Sequence, residues 1–242
     1  MSTFTSLPWR RAIVEFLVIV AGVSVGLFAD DWRTSREDRR LERNFLVDLQ
    51  SDLVRDSIEF EAVLQRMWGW DVSSLDLYRS LDQPSVTPGQ LNGWFDQLNG
   101  ISSYEPSRSA YERMKATGRM GFLDDSGLQA AVTDYFERTQ PYALALIERT
   151  AYPRWEAWRA HRSAWLTPRL EPTDTTWWPT RGDEANHQWI LTAPWEAFRS
   201  DPKLPSLLQE LGRAGGNVRV RYEAFLDENT ALRQALAEKL GR

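Results

Sequence analysis

The sequence predicts an all-α protein in which an N-terminal transmembrane helix continues into an antiparallel helical bundle. Three observations lead there. An apolar run long enough to cross a bilayer stands near the start, apolar residues beyond it recur at spacings of three and four, and no segment alternates in the manner of a half-buried strand.

Residues 1–11 form a short tail and residues 12–31 the membrane helix. From Ala12 to Ala29 only Glu15 and Ser24 are polar, and such a run spans about 27 Å as a helix, close to the roughly 30 Å hydrocarbon core. Trp9, Arg10 and Arg11 on one flank and Trp32 on the other are the expected interfacial anchors. A cleaved signal peptide shares the basic start. This run is longer than such a peptide needs, and it is followed by Asp30 and Asp31 rather than by small residues at a cleavage site.

Within the span, Gly22 and Gly26 are four residues apart, with Ser24 between them and Ala29 nearly on the same face. Small residues so placed let backbones approach, which suits packing against a copy of the chain or against another helix. Glu15 is an ionisable group in hydrocarbon, which marks a partner or a site; its position four residues after Arg11 also allows a pair at headgroup level. For orientation the flanks conflict. Arg33, Arg36, Arg39, Arg40 and Arg43 follow the span, whereas Arg10 and Arg11 abut it and two aspartates open its far side. The expectation is a bacterial inner-membrane protein with a cytoplasmic N-terminus and a periplasmic body.

Residues 32–242 are expected to be a water-exposed helical bundle. Leu41, Phe45, Leu46, Leu49, Leu53, Ile58, Phe60, Val63, Leu64 and Met67 follow helical spacing, and neither proline nor glycine intervenes between Trp32 and Trp68. The membrane helix therefore extends outward as a rod, with its end expected before Gly69. Asp48, Asp52 and Asp56 recur every four residues along it; a solvated or arginine-paired face fits them better than a metal site, which needs ligands from more than one element. Thr87 and Pro88 read as the start of a helix through Leu98, and Ser109 with Glu112 as a capping box before a helix that ends at Gly118 or Gly121. Residues 124–126 cap a helix that runs toward Trp165, broken or kinked at Pro141 and Pro153. An irregular arm rich in Trp and Pro is expected near 166–190, and a last helix or helix pair from Pro205 to Leu240, with a possible break at Gly215 and Gly216.

The string from Glu15 to Trp32, EFLVIVAGVSVGLFADDW, resembles the DUF6090 family of single-pass bacterial membrane proteins. That family's span is similar in its glutamate, its glycine between aliphatic runs, and its paired polar residues before tryptophan; here Asp30 and Asp31 stand where the family tends to have asparagines. The arginine-rich helix with Leu49, Asp52 and Leu53, the segment from Ala110 to Gly118, and Leu232 to Leu240 are similar in kind. The resemblance covers about the first 60 residues well. It implies a membrane-anchored helical protein and carries no activity.

Composition narrows the function classes. The net charge of −5, from 34 acids against 29 bases, repels phosphates, so no nucleic-acid partner is expected. There is no cysteine, and His161 and His187 lack metal-ligand spacing. No phosphate loop, nucleophile elbow or dinucleotide fingerprint occurs. Catalytic, cofactor and metal residues are therefore expected to be none, and the chain is not expected to be an enzyme. Among the twelve tryptophans, Trp155, Trp158, Trp165, Trp177 and Trp178 form the candidate partner surface, although Trp155, Trp158 and Trp165 suit burial in the bundle better than docking on a partner or dipping into the lipid surface.

The leading expectation is a membrane-anchored accessory or scaffold subunit. Its partners are the lipid bilayer together with other membrane protein subunits, for example of a respiratory or photosynthetic assembly, or a second copy. An extracytoplasmic sensor or ligand-binding module is the alternative, and with so short a tail it would signal through a partner helix. A carboxylate-based enzyme stands third.

Overall fold

The computed structural model describes residues 9–123, 125–168 and 189–241. Trp177 and Trp178 lie outside the described residues, as do the side chains of Trp9, Arg10, Arg11 and Ala29.

One helix organises everything else. α1 runs from Trp9 to Ser80, 72 residues without a break, about 108 Å at 1.5 Å per residue. The end expected before Gly69 is thus a correction. Gly69 is tolerated mid-helix, and the atoms nearest a Cβ there belong to the flexible side chain of Gln97, so nothing forces a stop.

Four legs pack as an up-down-up-down bundle. α1 goes up. The second leg comes down as α2 (Pro88–Leu98), an extended stretch over 100–108, and α3 (Ser109–Ala116). The third leg climbs through α4 (Ser126–Asp134), α5 (Gln140–Leu146) and α6 (Tyr152–Arg162), joined by π-helical turns at Tyr135–Thr139 and Ile147–Ala151. After two short strands and α7 (Trp195–Arg199), α8 (Leu204–Leu240) descends as the fourth leg. Contacts between α1 and α8 fix the antiparallel sense: Gly215 meets Met67 and Trp70, Asn229 meets Leu53, and Lys239 meets Glu42.

Each leg follows from its residues. Thr87 caps α2 by accepting from the Gln90 amide while the Gln90 side chain accepts from the Thr87 amide, with Pro88 at the first turn, as expected. Asp125 caps α4. Pro141 and Pro153 neither end the third leg nor bend it arbitrarily; each follows directly on a π turn, where the amides of Gln140 and Tyr152 reach back five residues to Tyr135 and Ile147. Proline cannot donate and its ring crowds the carbonyl four residues back, so a widened turn just before it relieves both problems.

Two further corrections concern α8 and the arm. α8 is continuous through Gly215 and Gly216, because these glycines serve a helix crossing: a Cβ on Gly215 would stand 2.8 Å from the Met67 carbonyl and 3.1 Å from the Asp71 amide. Residues expected to be irregular throughout 166–190 include two short antiparallel strands, β1 (Leu166–Pro168) and β2 (Trp189–Leu191), with Leu166 opposite Leu191. Three-residue strands are too short to show alternation in sequence.

Candidate functional site

Along α1 the first turns are apolar on every side. Each large apolar side chain from Ile13 to Phe28 is at least 43% exposed, and an added Cβ at Gly22 or Gly26 would meet nothing within 4 Å. Among the described residues, this is the one helix long and apolar enough to cross a membrane. Such an area of uncovered hydrocarbon is not left to water in a stable soluble protein. Ser24, Gly22 and Gly26 stand free of any contact from the bundle. At the end of this zone Trp32 is half exposed and carries the Arg36 guanidinium 3.9 Å above its ring.

A second constellation lies inside the bundle. Asp52 and Asp56 are buried, where a solvated or arginine-paired face was expected, and only Asp48 keeps to that expectation. The stretch 100–108 has no ladder of its own, so its backbone groups need side-chain partners. Asp56 accepts from the Ser107 amide at 2.8 Å, from the Tyr135 hydroxyl at 2.9 Å and from the Gln140 amide group, which also donates to the Ser107 carbonyl. Trp70 and Trp155 donate to the carbonyls of Gly100 and Asn99. Asp52 accepts from the Ala110 amide at 2.8 Å and from the Ser109 hydroxyl, so the N-terminus of α3 is capped by a carboxylate from α1. This replaces the expected Ser109–Glu112 capping box; Glu112 pairs instead with Arg108 at 2.6 Å. Asp48, one turn earlier and half exposed, pairs with Arg113.

Burial raises the Asp56 carboxyl above its ordinary value of 3.8, and the bonds from Ser107, Gln140 and Tyr135 only partly offset that. Desolvation, with the nearby Asp56 charge, likewise pushes the Tyr104 and Tyr135 hydroxyls up. Asn229 links this cluster to the fourth leg by donating to Tyr135 and to the Leu53 carbonyl. A groove of about 680 Å³ between α4 and α8, walled by Leu128, Ala131, Arg138, Glu228 and Leu232, reaches Tyr135 but is not lined by Asp56. The two buried carboxylates hold backbone; a general acid–base pair would need both to face one open pocket. Among the described residues, no group of three or more His, Asp or Glu is placed to hold a metal ion.

Of the candidate partner-surface tryptophans, the three that are described, Trp155, Trp158 and Trp165, turn inward. Trp158 is fully buried, 6.4 Å from Phe95 between ring centroids, which removes it from any docking face. Trp155 and Trp165 are partly buried; their indole N–H groups donate to the Asn99 carbonyl and to Asp201. Trp158 is thereby corrected out of the candidate partner surface and takes the burial the sequence favoured, for a plain reason: the far end of the bundle has to be closed, and Phe95, Trp158, Trp165, Trp195 and Phe198 close it as an aromatic plug. Arg162 lies 4.7 Å over the Trp189 ring, and burial lowers its guanidinium to about 10. His161 packs beside Asp201 at 3.0 Å.

The acids could have been found from the sequence. On a helical wheel at 100° per residue, Asp56 falls inside the arc of Phe45, Leu49, Leu53 and Phe60, and Asp52 falls at the angle of Trp70, so both lie on the buried stripe of α1. A carboxylate within an apolar stripe needs donors from elsewhere in the fold.

No protein-family model, no curated protein and no solved structure matches this chain.

Proposed function

We propose that this chain is a membrane-anchored accessory or scaffold subunit, which fixes a helical body beside a larger membrane assembly. The observation that carries the reading is the uncovered apolar zone from Ile13 to Phe28, continuous in one helix with the core residues Leu49, Leu53, Phe60 and Met67. A flexible tether would leave the body free to turn, whereas an unbroken helix fixes its height and facing relative to whatever lies beside the span. The buried carboxylates support the same reading, because the polar investment of the fold goes into holding its second leg rather than into an open cleft.

The reading places the anchor in a bacterial inner membrane with the N-terminus cytoplasmic and the body periplasmic. Kinship with the DUF6090 family belongs to the same proposal, since it rests on the span and its flanks. The test is purification of the full chain from its native membrane in mild detergent. Co-migration with defined membrane subunits at fixed stoichiometry is expected; a lone monomer, or release of the intact chain by carbonate, overturns the reading.

A further inference from the structure

Beyond Trp32 the charges on α1 are sorted by face. Taking Arg33 as the origin of a wheel at 100° per residue, Arg33, Arg36, Arg40 and Arg43 fall within an arc of about 80°, and Arg39 flanks it. Asp38 and Glu42 fall on the other side, together with the residues that turn toward the bundle: Leu41, Phe45, Leu46 and Leu49. Glu37 borders the basic arc. Burial agrees with this sorting. Arg33, Arg36, Arg40 and Arg43 are exposed, whereas Asp38, Leu41 and Glu42 are partly covered. Glu42 is held by Lys239 of α8 at 3.5 Å. No ion pair forms on Arg33, Arg36, Arg40 or Arg43 among the described residues, and the one carboxylate of this stretch that is paired, Glu42, is taken by Lys239. The body of this chain therefore leaves the basic face unneutralised and points it outward.

The same face runs down into the apolar zone. Gly22, Gly26, Ala29, Arg33, Arg36, Arg40 and Arg43 succeed one another at alternating steps of four and three. That is the spacing of a single seam along which a second helix lies. Whatever helix packs on the small residues meets the arginines next.

We infer that this seam docks a helix of a different membrane subunit, one whose continuation outside the bilayer carries carboxylates. The inference rests on the anchored reading above and names its partner class. A second copy is the poorer occupant: in a parallel pair it would bring four guanidinium groups against four along one line, and like charges so placed repel. Anionic lipid is poorer as well. Arg43 stands 11 residues beyond Trp32, about 16 Å along the helix, while the polar layer on each side of the hydrocarbon is only about 5–8 Å thick. Lipid phosphates reach Arg33 and Arg36; the upper half of the stripe needs a partner that also rises from the membrane. A pocket of about 530 Å³ beside it, lined by Arg39, Arg40, Glu42, Arg43, Leu46, Lys239 and Leu240, offers an apolar floor with mainly basic walls to that partner's side chains, its one carboxylate, Glu42, being held by Lys239.

A charge-reversed copy of the chain serves as the probe. The quadruple variant R33E/R36E/R40E/R43E and the wild-type chain, each full length and labelled with a different fluorophore, are placed together or separately in nanodiscs of zwitterionic lipid, after flotation has shown that both insert. Energy transfer should report a mixed pair about tenfold tighter than either self-pair, the sum of several exposed ion pairs, and most of that advantage should vanish in high salt. Wild-type self-association as tight as the mixed pair would overturn the proposal in favour of a second copy. A mixed pair that fails to form, or that phosphatidylglycerol in the bilayer abolishes, would overturn it as well, the latter in favour of lipid. Failure to insert would instead defeat the anchored reading, and flotation separates the two.

Discussion

The two ends of α1 are one helix in two surroundings. From Ile13 to Phe28 large apolar residues occupy every face and all are exposed; from Phe45 to Leu77 a single stripe of them is buried, while Val47, Ile58, Trp68 and Leu75 stand exposed outside it among polar residues. Both stretches are helical and both are rich in Leu, Val and Phe. What differs is the arrangement of apolar residues around the axis, and that arrangement shows which surroundings each stretch suits: hydrocarbon on all sides, or protein on one side and water on the other.

The most severe way to break the comparison is to put a lysine in each half. Leu53→Lys buries a charge where nothing is exposed and should cost more than about 4 kcal/mol of bundle stability, read by chemical denaturation, while leaving membrane retention intact. Val20→Lys should do the reverse: an insertion penalty of about 3 kcal/mol, read by glycosylation mapping or carbonate extraction, with an unchanged denaturation midpoint for the body. If both variants lowered both quantities, the two halves would not be independent environments.

A smaller effect sharpens the bundle half. Asp56→Ala strips the Ser107 amide, Tyr135 hydroxyl and Gln140 amide of their acceptor and should destabilise by about 3 kcal/mol. Asp56→Asn separates the bonds from the charge, since the buried Gln140 carbonyl oxygen lacks a donor and can take one from the new carboxamide. The pH dependence has a defined sign. The folded carboxyl titrates above its ordinary 3.8 because of burial, so the folded chain binds that proton more tightly than the unfolded one does. The resulting stabilisation is complete below pH 3.8 and disappears as pH rises through the raised folded value. Wild type should therefore gain on Asp56→Asn as pH falls from 7 toward 4, measured as the difference in unfolding free energy. A constant difference would show that the carboxyl is not shifted.

The smallest expected effect concerns the crossing of α1 and α8. Gly215→Ala gains helix propensity of about 1 kcal/mol but drives a methyl into the backbone at Met67 and Asp71. Overpacking should win, for a net loss of about 1–2 kcal/mol in thermal or chemical unfolding. Gly93→Ala, where open space surrounds the Cβ, should stabilise slightly and serves as the control.

Legibility in the sequence followed how local the determining physics was. The all-α class, the Thr87 cap, the Asp125 cap and the outward continuation of α1 are written in residues within a turn or two of each other. What escaped depends on partners distant in sequence. Gly215 reads locally as a helix breaker and becomes a crossing point only when Met67 lies beneath it. Ser109 and Glu112 read as a cap, but Asp52, more than fifty residues earlier, occupies that role. Trp158 reads as suited to the core with a surface role left open, and Phe95 closes that question. The basic seam was present in the spacing all along; the bundle was needed to show which side of α1 remains open.

Ser80 stands 52 residues beyond Phe28 along unbroken helix, the end of a lever of about 78 Å. Leaning such a lever by about 10°, well within the range that membrane helices adopt when bilayer thickness changes, would sweep its tip sideways by about 14 Å. The aromatic plug near that tip would thus wander with the composition of the bilayer unless a neighbour braced the shaft close to its fulcrum.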